Sequence, residues 1–421
     1  MYKHYLLNNG IRIITDQIPH SRSVSVGLWF RAGSAYESPE ENGLSHFIEH
    51  MLFKGTMRRT ARNIAEAMDS VGGQLNAFTA KEYTCFYCKV MDEHLELSLD
   101  LLSDMLLYSL FDPTEMEKEK QVILEEIHMY DDSPEDLVHE LLSEAFFGNH
   151  PLAKPILGSP ERLLQYSRSD LLDFMNKFYT TDNLVIAIAG NVHDEKLLLF
   201  LEKSFGHWQQ RGSIPQEVPA SFNEPRILYA KKDIEQFHLS LTFPGIASNN
   251  DYFYPMLVMN NLFGGGMSSR LFQKIREDRG LAYSIFSYPS NYLSDGMFSI
   301  YAAMKPEQSE EVLRLILEEI LLLKEKGFTE EEFLKAREQL KGNYILGNET
   351  TGSRMNAIGK TKLMMEKVYT PSEIIEKISR IQPEQVNAII QETFRLDKAC
   401  TALVGSTDQT SKIWELIKRG V

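Results

Sequence analysis

The chain has 421 residues, 43% of them hydrophobic and 24% charged, with a formal net charge of −15 at pH 7. That length is too great for one ordinary core and fits two domains of about 200 residues each. The acidic balance argues against a general nucleic-acid binder and is compatible with a field that attracts basic peptides, while the lack of any run of about 18 apolar residues argues against a membrane span.

In chain order, Met1–Gly10 reads as a strand and turn, unlike a secretory signal or an Arg-rich transit peptide, so a cytoplasmic protein of bacterial type is expected. Val24–Phe30 reads as a further strand. The next segment, His46-Phe47-Ile48-Glu49-His50, lies where the chain looks helical and carries most of its chemical information. Positions i and i+4 share one helix face, a turn apart. The His46 and His50 imidazoles can therefore point at a single ion, and Glu49 projects from nearly the same face toward a water beside it. Two neutral imidazoles and a carboxylate base are the parts of a metal hydrolase. Their order here is the inverted, inverzincin form of the H-E-x-x-H zinc-peptidase motif. Taken alone, the pattern also fits a surface helix with two solvated His.

Cys85 and Cys88 stand in C-x-x-C spacing, but Tyr83–Val90 alternates like a strand, in which i and i+3 point to opposite faces. With Cys400 they are expected to be free thiols in a reducing compartment. Glu93–Tyr108 reads as an amphipathic helix. After it, Asp112-Pro113-Thr114 gives a helix start, capped by Asp112 or Thr114, and the acidic run continues to Tyr130 without a breaker. A zinc hydrolase commonly takes a third protein ligand from a separate element. Glu119 and Glu126, two turns apart, share one face of this helix, whereas Glu125 points elsewhere. Without the His pair, a solvated acidic face is the better reading of these residues.

The second half repeats the first. Val24–Phe30 recurs as His238–Phe243, Tyr87–Val90 as Tyr301–Met304, and Leu184–Gly190 as Thr401–Gly405, each about 214 residues on. The helix Glu93–Tyr108 likewise returns as Glu307–Lys326. The polar, Pro-containing stretch between the copies reads as a linker. The expected organisation is an N-terminal domain at 1–208, a linker at 209–226 and a homologous domain at 227–421. Each domain is α+β with mainly antiparallel sheets, an α/β sandwich arising by internal duplication. Shifting the metal motif by the repeat lands on Met259–Phe263, which holds no ligand types. Gly264-Gly265-Gly266-Met267-Ser268-Ser269 follows as a flexible loop near substrate, and it lacks the Lys of a phosphate loop.

The stretch Asn42-Gly43-Leu44-Ser45-His46-Phe47-Ile48-Glu49-His50-Met51-Leu52-Phe53-Lys54-Gly55-Thr56 resembles the metal-site helix of the pitrilysin, insulin-degrading enzyme and mitochondrial processing peptidase family, in its short two-domain form. The family's third ligand is a Glu in a V-I-x-x-E context, matched by Glu126 within Val122–Glu126, and its supporting Glu falls on Glu119. The substrate-pairing N-A-x-T edge strand matches Asn76-Ala77-Phe78-Thr79. The Arg…Tyr substrate signature matches Arg276 and Tyr283 within Arg276–Ser284.

This resemblance implies one zinc or other divalent ion per subunit on His46, His50 and Glu126, with Glu49 as general base and Glu119 orienting a ligand or the water. It implies that Asn76, Ala77 and Phe78 pair with extended substrate, and that Arg276 and Tyr283 hold substrate carbonyls or a developing oxyanion. The implied activity is endopeptidase cleavage of unfolded or precursor peptides. A non-catalytic, structural or peptide-binding paralogue that needs a partner subunit is the alternative. Single-chain members of the family are about twice as long, with the metal in the first quarter and the Arg–Tyr pair in the last. The resemblance therefore also implies a clamshell dimer of two-domain subunits, as a homodimer or with a paralogue.

Overall fold

The computed structural model describes residues 2–216, 219–220, 224–365 and 367–419. Parts of the expected linker, residues 217–218 and 221–223, lie outside the described residues. Among the described residues, eleven strands form two sheets: β1 (Lys3–Leu6), β2 (Arg12–Gln17), β3 (Ser23–Phe30), β4 (Gln74–Thr79), β5 (Thr84–Met91), β6 (Leu184–Gly190), β7 (Ile227–Lys231), β8 (Phe237–Pro244), β9 (Ala282–Asn291), β10 (Gly296–Met304) and β11 (Cys400–Gly405). The first sheet runs β1-β2-β6-β3-β5-β4 and the second β7-β11-β8-β10-β9. Only the β2–β6 and β7–β11 pairs are parallel. Overlaying β3 on β8, β5 on β10 and β6 on β11, the pairs read from the repeat, makes the second sheet the order of the first without β1. The fold is thus the expected α+β duplication, mainly antiparallel.

Contacts divide the chain into two compact units, and neither is contiguous. One comprises residues 1–127, 154–216 and 345–370; the other comprises 128–153, 217–344 and 371–421. The helix Thr351–Met364, from the second half of the chain, packs on β2, β3 and β6 of the first unit. The helix Pro134–Phe147, from the first half, packs on β7, β8 and β11 of the second. The packing units therefore depart from the contiguous division at 1–208, 209–226 and 227–421 by a reciprocal exchange of equivalent helices.

Alternation along the strands sets what those helices meet. Val24, Val26, Leu28 and Phe30 of β3 point into the main core of the first unit with Phe47, Ile48, Met51 and Leu99. The intervening residues Ser25, Gly27 and Trp29 face the exchanged helix. There Ser25 Oγ donates to Thr351 Oγ1 at 3.0 Å, and Trp29 Nε1 lies 3.4 Å from Met355 Sδ. The second unit meets its exchanged helix through a polar layer, in which the His139 Nδ1 and Tyr288 hydroxyl lie 2.7 Å apart and the His139 ring packs 5.2 Å from that of Tyr301. Gly359 gives Trp29 its room, because a Cβ there would sit 2.3 Å from Trp29 Nε1.

Cys85 and Cys88 are buried and free on β5, and Cys400 is buried and free on β11. Burial raises the Cys88 thiol to about 12 and leaves it a small packing group. No helix among the described residues is long and apolar enough to cross a membrane.

Two helical glycines should respond to alanine with opposite signs. Gly359→Ala forces its methyl onto Trp29 and should cost roughly 1–3 kcal/mol through overpacking. Gly342→Ala has open space around the new Cβ and should gain about 0.5–1 kcal/mol of helix stability. Urea midpoints at constant m-value measure both, and equal effects would show that the Trp29 contact does not set the packing.

Candidate metal centre

The helix Leu44–Leu52 buries Leu44, Phe47, Ile48, Met51 and Leu52. That apolar face fixes the helix's rotation, so His46, Glu49 and His50 emerge together on the other side. The second contributing helix, Pro113–Asp132, begins where the sequence placed it. Asp112 Oδ1 accepts from the Thr114 and Glu115 amides at 2.8 and 3.2 Å, and Pro113 occupies the first turn. Its buried residues Met116, Lys120, Ile123 and Ile127 form a stripe against the core. Glu119 and Glu126 stand along that stripe's edge, and Glu125 is exposed on another face.

The two helices bring three donor atoms to one point. Glu126 Oε2 lies 3.6 Å from His46 Nε2 and 3.5 Å from His50 Nε2, and ligand atoms of all three residues fall within 4.8 Å of one another. Four-coordinate zinc with bonds of about 2.0–2.2 Å separates neighbouring donors by about 3.3–3.5 Å. The donor set and its spacing therefore fit a zinc ion with little movement. Burial, reinforced by the neighbouring His50, lowers His46 to about 4, so this ring is neutral with a lone pair to offer.

His50 behaves differently. Burial alone would lower its pKa, but hydrogen bonds to Glu119 and Glu126 outweigh that and raise it to about 9. Glu119 Oε2 takes His50 Nδ1 at 3.1 Å, which turns Nε2 toward Glu126, and its Oε1 takes Lys54 Nζ at 2.6 Å. Despite burial, those two cationic partners hold Glu119 below the usual carboxylate range. Glu126 is also lowered, first by its hydrogen bond with His50.

Glu49 is treated in the opposite way. Burial pushes its carboxyl above the ordinary range, partly offset by the Thr79 hydroxyl, which donates to Glu49 Oε2 at 2.5 Å. A carboxylate with a raised pKa beside two imidazoles is a better proton acceptor than an ordinary one. Thr79 closes β4, which has β5 on one side and nothing on the other in the sheet order. The strand holding Asn76, Ala77 and Phe78 is therefore an edge, with Asn76 exposed and Ala77 buried.

Arg276 and Tyr283 belong to the second unit. Arg276 lies on a single wide helical turn, Phe272–Glu277, and Tyr283 near the start of the edge strand β9. The Arg276 guanidinium sits 4.8 Å from the Phe272 ring centre and 5.8 Å from that of Tyr283, whose side chain is 75% exposed. The place equivalent to the metal motif lies in the apolar helix Phe253–Phe263, which buries Met259, Leu262 and Phe263. In the loop that follows it, the Ser287 amide donates to the Gly264 carbonyl at 3.1 Å.

Two residues beside the centre carried no assigned role in the sequence. Lys54 was visible only as a basic residue one turn past His50, and its bond to Glu119 depends on how the two helices approach. Thr79 reads in the sequence only as the last residue of a strand motif, and its bond to Glu49 depends on how that strand lies across the helix.

Residues 12–160 match the family described as Insulinase (Peptidase family M16), and residues 165–340 match that described as Peptidase M16 inactive domain. The uncharacterized zinc protease YmxG of Bacillus subtilis is 44% identical over 411 residues, covering 98% of this chain and 100% of that one. An uncharacterized zinc protease of Rickettsia felis is 37% identical, with 96% and 97% covered. Among solved structures, a peptidase M16 inactive domain from Pseudomonas fluorescens superposes with a TM-score of 0.91 over 97% of this chain and 98% of its own. A protease from Helicobacter pylori does so with 0.89 over 96% and 99%. Both are 19% identical and speak to the fold alone. With both halves matched and a full-length relative at 44% identity, the chain belongs to peptidase family M16, the insulinase family.

Proposed function

We propose that the protein is a zinc-dependent endopeptidase acting on unfolded or extended peptides, with His46, His50 and Glu126 as ligands and Glu49 as general base. The observation that carries this reading is the convergence of those three donor atoms beside the half-buried Glu49 carboxylate, whose pKa is raised. Zinc bound there would supply Lewis acidity, making water easier to deprotonate and the scissile carbonyl easier to attack. Glu49 takes the proton of the attacking water and returns it to the leaving amine, while Thr79 keeps its carboxylate aimed. Glu119 holds His50 in the tautomer and rotation that present Nε2. The open edge of β4 offers backbone N–H and C=O groups around Asn76, Ala77 and Phe78, so substrate adds as a strand with little demand on its sequence. Three buried free cysteines fit a reducing, cytoplasmic setting.

Arg276 and Tyr283, exposed on the other unit, are assigned to substrate carbonyls or the developing oxyanion. In this reading one chain is half of a chamber. In a homodimer, Arg276 and Tyr283 of each subunit complete the metal site of the other, and the chamber admits peptides while excluding folded proteins.

Variants separate the acid residues. Glu126→Gln should release zinc, Glu125→Gln should not, and Glu49→Gln should keep zinc while lowering kcat about 10²–10⁴-fold. Bound metal and cleavage of a quenched fluorescent peptide read all three; loss of metal from Glu125→Gln alone would remove Glu126 as third ligand.

Binding should also depend on pH with a definite sign. In the metal-free protein His50 carries a proton up to about 9 and His46 none above about 4. Between pH 8 and pH 6 zinc therefore displaces one proton, from His50, and affinity should fall about tenfold per unit as pH drops. Chelator competition across that range measures the slope, and a slope near zero or two contradicts the assignment of protons.

Subunit mixing addresses assembly. Glu49→Gln and Tyr283→Phe homodimers should both be nearly inactive, and a mixed dimer should regain one site built from intact Glu49 and intact Tyr283. Absence of recovery after verified subunit exchange would place the pair's action within its own chain.

A further inference from the structure

The helix bearing His46, Glu49 and His50 starts without an ordinary cap. The residue before it, Gly43, has φ 100° and ψ −6° and no side chain to offer. A local Ser, Thr, Asp or Asn cap sits in the extended region and bonds the amides of the first turn. Position 43 excludes one twice over: its φ is left-handed, and a Cβ would lie 2.9 Å from the Leu157 carbonyl and 3.0 Å from Gly158 Cα. The amide hydrogens at the head of this short helix must find acceptors elsewhere.

They find Glu37. Its carboxylate is almost wholly enclosed, with the residue 2% exposed. Oε2 accepts from the Gly43 amide at 2.8 Å and from Asn42 Nδ2 at 3.1 Å, and Oε1 accepts from the Ser45 amide at 2.8 Å. Glu41 contributes its backbone carbonyl to the Leu44 amide at 3.0 Å. One buried carboxylate thus holds both Gly43 and Ser45, the residue immediately before the ligand His46. Burial pushes this carboxyl above the ordinary range, and the bonds from Gly43, Ser45 and Asn42 oppose that shift.

We infer that Glu37 is a positioning residue for the metal centre: acting as a remote N-cap, its carboxylate fixes the depth and rotation of the His46–His50 helix relative to Glu126. This rests on the reading of His46, His50 and Glu126 as zinc ligands. Glutamine at this position offers one carbonyl oxygen and one N–H₂, so either the Gly43 or the Ser45 amide faces a donor. The helix start then shifts or frays, and His46 moves with it. Asn42→Ala is the control, because it removes one bond to Glu37 and one to the Pro155 carbonyl and leaves both amide bonds intact.

The test is zinc affinity of the folded full-length protein by chelator competition, alongside the melting temperature of the metal-free form. Glu37→Gln should weaken zinc binding at least about tenfold, and Asn42→Ala should leave it within about twofold. If wild type itself binds no zinc, the metal reading fails. If wild type binds and folded Glu37→Gln binds equally well, even with a lowered melting temperature, the role is only structural and the inference is overturned. Should Glu37→Gln not fold, amide hydrogen exchange on metal-free wild type decides. Gly43 and Ser45 should exchange as slowly as the middle of the helix, and fast exchange at either would overturn the cap.

Discussion

The constraint on which the site depends is electrostatic. Three donor atoms from two helices stand within 4.8 Å of one another in a partly buried region, where bringing carboxylates together is costly. The protein meets this with alternating charge. Lys54 faces Glu119, Glu119 faces His50, and His50 faces Glu126, so each group of ambiguous charge touches one of opposite sign. His46 stands at the end of that row and takes the other solution, remaining neutral. Glu49 lies beside the row, where burial disfavours its anion. The same few ångströms thus hold two carboxylates, Glu119 and Glu126, below the usual range and one, Glu49, above it.

Around this row, the duplicated fold divides labour between copies of one design. The first copy carries His46, Glu49 and His50 on the helix Leu44–Leu52; the second fills the corresponding helix, Phe253–Phe263, with Met and Phe. Both retain an edge strand in the same place, β4 and β9, one with the Asn76–Phe78 segment and the other with Tyr283. Duplication supplied two strand edges and one helix with the His46–His50 pair, and the divergence lies in side chains while the backbone order is kept.

Much of this was legible in the sequence, for physical reasons that differ by feature. The His46–His50 pair is a local pattern, decided by helix periodicity alone. The repeat was visible because β3 and β8, β5 and β10, and β6 and β11 must each present a buried face, and such strands keep their spacing. Glu126 emerged through the resemblance, since the acidic helix contains several carboxylates and periodicity alone leaves Glu119 and Glu126 together. Lys54, Thr79 and Glu37 were not legible in these roles because each acts through an approach between elements distant in sequence. The helix exchange was hidden for a related reason: Pro134–Phe147 and Thr351–Met364 occupy equivalent places in the repeat, and nothing in their composition says whose sheet they cover.

That exchange has a consequence for how the chain matures. The face of the first sheet bearing Trp29 receives its cover only after residues up to 364 have been synthesised, long after the strands that form it. A ribosome-bound N-terminal half therefore carries an uncovered sheet face and a spare helix for most of its elongation. Each unit is complete only once both halves of the chain have been made.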